Sequence, residues 1–102
     1  MIAEISVIPI GEGVDLAKYI AQVVKVIDAS GLDYRLNAMG TIVEGDGDRV
    51  FELIKKCHNK MLETSQRVYT TVKIDERKDK KGKMMELKVQ AVEKELGRSL
   101  KK

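Results

Sequence analysis

The chain has 102 residues, a length that suits one domain with a modest core. Its 43% hydrophobic and 34% charged residues exclude a disordered chain, and one Phe, three Tyr and no Trp leave the core to aliphatic side chains. The net charge of +3 is a weak signal, because much of it lies in the run RKDKKGK, Arg77 to Lys83, which reads as a solvated loop rather than a nucleic-acid patch.

A single cysteine, Cys57, excludes an internal disulfide framework and fits a reducing compartment. The opening MIAEISVIPIG has no basic segment, Glu4 interrupts its apolar run, and no stretch approaches the ~20 apolar residues of a membrane span. A soluble, cytoplasmic protein with no membrane and no nucleic-acid partner is expected.

Ala3 to Ile10 alternates and reads as a strand, with Pro9 near its end because proline lacks an amide proton. Asp15 is a suitable N-cap for a helix whose stripe is Leu16, Ile20, Val23 and Ile27, stopped by Ser30-Gly31. Leu32 to Asn37 forms a second strand with Tyr34 and Leu36 on one side. Thr41 to Gly45 forms a third, and Ala38-Met39-Gly40 is the hairpin connection, where glycine supplies angles that other residues resist. Asp48 caps a second helix that places Val50, Ile54, Cys57 and Met61 on one face. Arg67 to Arg77 is a fourth strand, with Val68, Thr70, Val72 and Ile74 pointing one way. After the basic loop, a third helix starts near Lys83, carries Met85, Val89, Val92 and Leu96 as its stripe, and ends at Gly97.

The order β-α-β-β-α-β-α places a split βαβ unit in its first six elements. An α+β, ferredoxin-like fold follows: a four-stranded antiparallel sheet, strand order 4-1-3-2, covered on one face by two helices. The chain is one such domain, with core 2–77, basic loop 77–83 and an additional C-terminal helix 83–97. The helix-free face collects Glu4, Ser6, Ile8 and Ile10, Arg35 and Asn37, and Tyr69, Thr71, Lys73 and Asp75. The third strand adds either Thr41 and Val43 or Ile42 and Glu44, since a one-residue slip exchanges them. An apolar surface dotted with hydrogen-bonding groups suits a subunit interface or a binding site, against the plainer reading that the polar groups face water. The third helix can cross that face, cap a sheet edge, dock on another subunit or pack on its own domain.

Catalytic signals are few. Cys57 lies on the apolar stripe of its helix, and the adjacent His58 diverges from it by about 100°. His58 is the only histidine, and no spacing around it builds a metal site. GEG at Gly11 and GDGD at Gly45 are too short for phosphate loops. AEISVIPI and TIVEG hold no aromatic residue, which counts against base stacking on the central strands. Neither a cofactor nor a metal is expected, and neither is enzymatic activity.

Three segments, EISVIPIG, GLDYRLNAMGTIVEG and RVYTTVKIDERKD, in this order and spacing, resemble the small thiamine-binding-protein family over roughly Ala3 to Leu96. That resemblance implies homo-oligomers, commonly dimers of dimers and hence homotetramers, and a small-molecule site for thiamine or its hydroxymethylpyrimidine moiety. Carried over by position, it implicates Ser6, Asn37, Met39, Gly40, Thr41 and Glu44 as ligand-binding residues. Asn37, Thr41 and Ser6 can meet the donors and acceptors of an aminopyrimidine, Glu44 a cationic thiazolium or an exocyclic amine, and Met39 the flat face of a ring. The expected function is non-catalytic small-molecule binding by an oligomeric carrier or sensor. The alternative is a structural protein whose bare sheet face serves only assembly.

Overall fold

The computed structural model describes residues 1–102. Period-two burial along the first segment, with Ala3, Ile5, Val7 and Pro9 buried, makes it a central strand with one face on the core. The elements are β1 (Ile2–Ile10), α1 (Ala17–Ala29), β2 (Asp33–Asn37), β3 (Gly40–Glu44), α2 (Gly47–Leu62), β4 (Arg67–Asp75) and α3 (Met84–Leu96). All strand pairs are antiparallel, in the order β2-β3-β1-β4, which is the predicted order read from the other edge.

Directly opposed residues share a face of the sheet. Ile5 stands opposite both Thr41 and Val72, and Tyr34 and Leu36 stand opposite Val43 and Thr41, so this set faces α1 and α2. Glu4 stands opposite Ile42 and Lys73 on the open face. The register therefore settles the third strand: Thr41 and Val43 point to the helices, and Ile42 and Glu44 to the open side. Between the layers, Val23 and Ile27 of α1 and Val50, Leu53, Cys57 and Met61 of α2 close the core. Leu53 joins the predicted α2 stripe, and Ile54 is only half-buried.

Two predicted caps sit elsewhere. Asp15 accepts the Ala17 amide at 3.3 Å, but Leu16 holds the N-cap position of α1, and its carbonyl takes the amides of Tyr19 and Ile20. Asp46 rather than Asp48 precedes α2: its extended backbone leaves β3, and its carbonyl accepts the Val50 amide at 2.9 Å. Asp48 falls in the first turn, where its charge faces the positive end of the helix. Gly31 and Gly97 end α1 and α3 in left-handed conformations, as expected.

The hairpin glycine has a different role from the predicted one. Gly40 does not have positive φ; instead, a Cβ there would come within 3.2 Å of the Ile5 carbonyl oxygen. Strand approach, not a positive φ, disfavours a side chain there. Gly45 is tighter still, since a Cβ would lie 2.6 Å from Leu32 Cδ2.

α3 leaves the body. None of its residues is fully buried, and Val92 and Leu96 are more than half exposed. The radius of gyration is 15.0 Å, against about 13 Å for an ordinary domain of this length. What anchors α3 is its first turn. Gly82 and Lys83 both take left-handed angles, which turns the amides of Met84 and Met85 onto the buried carboxylate of Glu44, at 2.6 and 3.1 Å. A left-handed lysine costs about 1–2 kcal/mol, and two charge-assisted bonds at a helix N-terminus offset it. Lys88 also pairs with Asp75 at the end of β4, holding the Asp75 carboxyl below its usual range.

Two expectations follow. Gly45→Ala must displace buried Leu32 and should destabilise the fold by about 1–3 kcal/mol, read as a lower urea midpoint with an unchanged slope. Glu44→Ala should speed hydrogen exchange at the Met84 and Met85 amides by roughly tenfold while leaving the sheet amides protected. Unchanged exchange there would show that the carboxylate does not hold the helix.

Candidate functional site

The site arises from a mismatch in strand length. β1 has nine residues and pairs with β4 along all of them, but β3 has five and meets β1 only as far as Ile5↔Thr41. Beyond that pair the β2–β3 hairpin turns back through Ala38 and Met39. A gap is left between the second half of β1, the hairpin and the apolar face of α1.

A cavity of about 280 Å³ occupies the gap. Ile5 to Val7 form one wall, Ile20, Val23 and Val24 of α1 a second, and Leu36 to Thr41 the third. The volume is near the lower end of ordinary ligand pockets, about 300–1,000 Å³. Five of the implicated residues, Ser6, Asn37, Met39, Gly40 and Thr41, line it. Its polar residues are Ser6, Asn37 and Thr41, of which the register turns the Thr41 side chain to the helices and those of Ser6 and Asn37 to the open face, and no ionisable residue lines it. Thr41 is only 5% exposed, and its hydroxyl has no hydrogen-bond partner in the chain. Met39 is exposed at the rim and does not form the floor.

Glu44 lies apart from these five. It points to the open face at the far end of β3, where it caps α3 and borders a separate polar hollow with Asp33, Arg35 and Lys83. The arrangement thus separates the only acidic residue of the implicated set from the apolar cavity. α1 bounds the cavity on the helix-covered side, and Ser6, Ile8 and Asn37 border it from the strands whose side chains there face the open side. Across the open face Glu4 and Lys73 pair at 3.2 Å and Tyr69 stands exposed.

Other groups of chemical interest are engaged or inert. Cys57 is fully buried, and burial pushes its thiol up to about 11, which keeps it protonated at neutral pH. His58 Nδ1 lies 2.7 Å from the Thr70 hydroxyl, in contact with β4 rather than with the cavity. The Tyr34 hydroxyl donates to Asp28 at 2.8 Å, and this bond raises the phenol above its usual range. A larger hollow of about 430 Å³ between the end of α1 and α2 is shallow. Its Arg49 donates to the Ser30 carbonyl at 3.0 Å and its Lys56 pairs with Glu52 at 3.1 Å, so its charged groups already have partners.

Sequence reading missed the contribution of α1 to the site, since Ile20 and Val24 read as plain core residues. The available signal was the unequal length of the first and third strands. With nine residues against five, part of the long central strand must lack a neighbour on that side.

A profile of the family described as thiamine-binding protein matches residues 3–93. The chain is 39% identical over 92 residues to the UPF0045 protein MJ1052 of Methanocaldococcus jannaschii, covering 90% of this chain and 91% of that one. It is 41% identical over 101 residues to a UPF0045 protein of Staphylococcus xylosus, covering 93% and 94% of the two chains. The crystal structure of the M. jannaschii protein superposes with a TM-score of 0.83 at 40% identity, over 89% of this chain and 93% of that one. A Thermotoga maritima protein, provisionally described as acting in thiamine biosynthesis or salvage, superposes with a TM-score of 0.78 over 89% and 96% of the chains. At 23% identity, that likeness establishes the fold alone. By profile, sequence and structure, the chain belongs to the thiamine-binding protein family, among relatives that carry the UPF0045 designation.

Proposed function

We propose that this protein is an oligomeric small-molecule binder, a cytoplasmic carrier or sensor whose ligand is thiamine or a hydroxymethylpyrimidine-like compound. One observation carries the reading: residues from β1 and the hairpin, distant in sequence, converge with α1 on an apolar cavity lined by Thr41, whose hydroxyl no other group of the chain engages. Apolar walls with a few placed polar groups are the usual make-up of a site for a small flat molecule. Membership of the thiamine-binding family and the description of the T. maritima protein support this ligand class.

Binding rather than catalysis is favoured by the lining, whose hydroxyls have no carboxylate, imidazole or amine beside them to activate them. No helix is long and apolar enough to cross a membrane. Assembly is supported by two surfaces that this chain leaves open: the helix-free face of the sheet, with Ile8, Ile42 and Tyr69, and the outer half of α3, with Val92 and Leu96. Both suit a dimer of dimers. The same surfaces favour a second reading, a structural protein in which assembly is the whole function and the cavity stays empty.

Calorimetric titration separates the two readings. Thiamine, its phosphates and hydroxymethylpyrimidine are titrated into wild-type protein and into Thr41→Val, with light scattering recording the mass of each. The binder reading expects saturable heat from at least one compound, weakened about tenfold or more in the variant through loss of one buried hydrogen bond, and a multiple of the chain mass in both. A multimer that takes up none of these compounds would favour assembly alone.

A further inference from the structure

The cavity contains a polar feature that is not a side chain. The Gly45 amide donates to the Met1 carbonyl at 3.1 Å, and the Met1 amino group donates to the Gly45 carbonyl at 3.0 Å. In an antiparallel pair such reciprocal bonds recur at every second residue. The odd-numbered residues of β1 therefore turn their peptide groups toward β3, and the even-numbered ones toward β4. The short approach of Gly40 to the Ile5 carbonyl agrees with this phase. Val7 is the next odd residue. Its counterpart in the same register is Met39, which belongs to the turn, and the pairing stops at Ile5↔Thr41. The amide and carbonyl of Val7 thus face the cavity with no strand opposite them, although Val7 itself is only 6% exposed. At Pro9, the following odd position, there is no amide proton to leave unpaired.

Buried backbone donors and acceptors nearly always have partners. In an extended strand, the N–H and C=O of one residue leave the same edge side by side, presenting one donor next to one acceptor. Resting on the proposed binder function, we infer that Val7 reads its ligand as β1 reads a neighbouring strand. A planar heterocycle with an acceptor beside a donor on one edge, such as the ring nitrogen and exocyclic amine of a 4-aminopyrimidine, pairs with the Val7 amide and carbonyl. The Thr41 hydroxyl provides a further contact. Because no charged side chain lines the cavity, the part of the ligand that enters is neutral. A cationic or phosphorylated portion stays outside the rim. The specificity determinant is a backbone edge that side-chain comparison does not reveal.

The test uses two probes and three forms of the full-length protein. The probes are 4-amino-5-hydroxymethyl-2-methylpyrimidine and its analogue without the 4-amino group. The forms are wild type, Gln90→Ala on the exposed side of α3, and a protein carrying the α-hydroxy acid analogue of valine at position 7, which replaces the amide N–H by an ester oxygen and keeps the side chain. Thermal melting of each form separates loss of binding from loss of fold. Wild type should bind the amino compound about tenfold or more tighter than the analogue. The position 7 ester should lose about tenfold in affinity for the amino compound, and Gln90→Ala should stay near wild type. If wild type binds the amino compound but the folded ester binds it equally well, or the two probes bind wild type alike, the Val7 assignment is overturned and the binder function stands. If wild type binds neither probe, both fall.

Discussion

The incomplete pairing of β1 is the constraint on which the rest of the structure depends. β1 is the central strand, and β4 satisfies one of its edges from end to end. On the other edge β3 satisfies only the first half. A sheet edge left unpaired in a dry interior is unfavourable unless something else meets its peptide groups. Here the space beside that edge is bordered by α1 and by the turn at Ala38-Met39, so a partly open cavity forms.

The opposite side of the sheet has separate work. Glu44, at the end of β3, spends its carboxylate on the first turn of α3, and the strained Lys83 aims that turn. The body and the projecting helix are joined by a few polar bonds rather than by a packed core. Such a joint fixes the direction of α3 while leaving its apolar residues available. An arm that extends beyond its own domain is a common means by which small domains enlarge a limited core through association. The joint with α3 thereby lies at the far end of β3, away from the cavity beside Ile5 and Val7.

Much of the fold was legible in the sequence because its signals are local and redundant. The two-residue alternation of β1 and β4, the three- and four-residue spacing in α1 and α2, and the glycines at Gly31 and Gly97 each point to the observed element. What escaped was set by register and by tertiary approach. Whether Thr41 or Glu44 faces the helices depends on a one-residue phase that alternation alone cannot fix in so short a strand. Gly40 and Gly45 looked like turn residues, but another part of the chain crowds a Cβ at Gly40 and comes too close for one at Gly45. The stripe of α3 was visible, but periodicity says nothing about what covers it. Of the candidate site, the hairpin residues were implicated through resemblance. The Val7 peptide edge is invisible to any reading by residue type, because every residue carries the same amide.

The most direct measurement is a backbone amide spectrum of the protein titrated with hydroxymethylpyrimidine. The account predicts that the shifting resonances cluster at Val7, Asn37, Thr41 and the Ile20–Val24 turn of α1, while Ile42, Tyr69 and Thr71 on the open face stay in place. Shifts centred on the open face, with the Val7 and Thr41 amides unmoved, would contradict it.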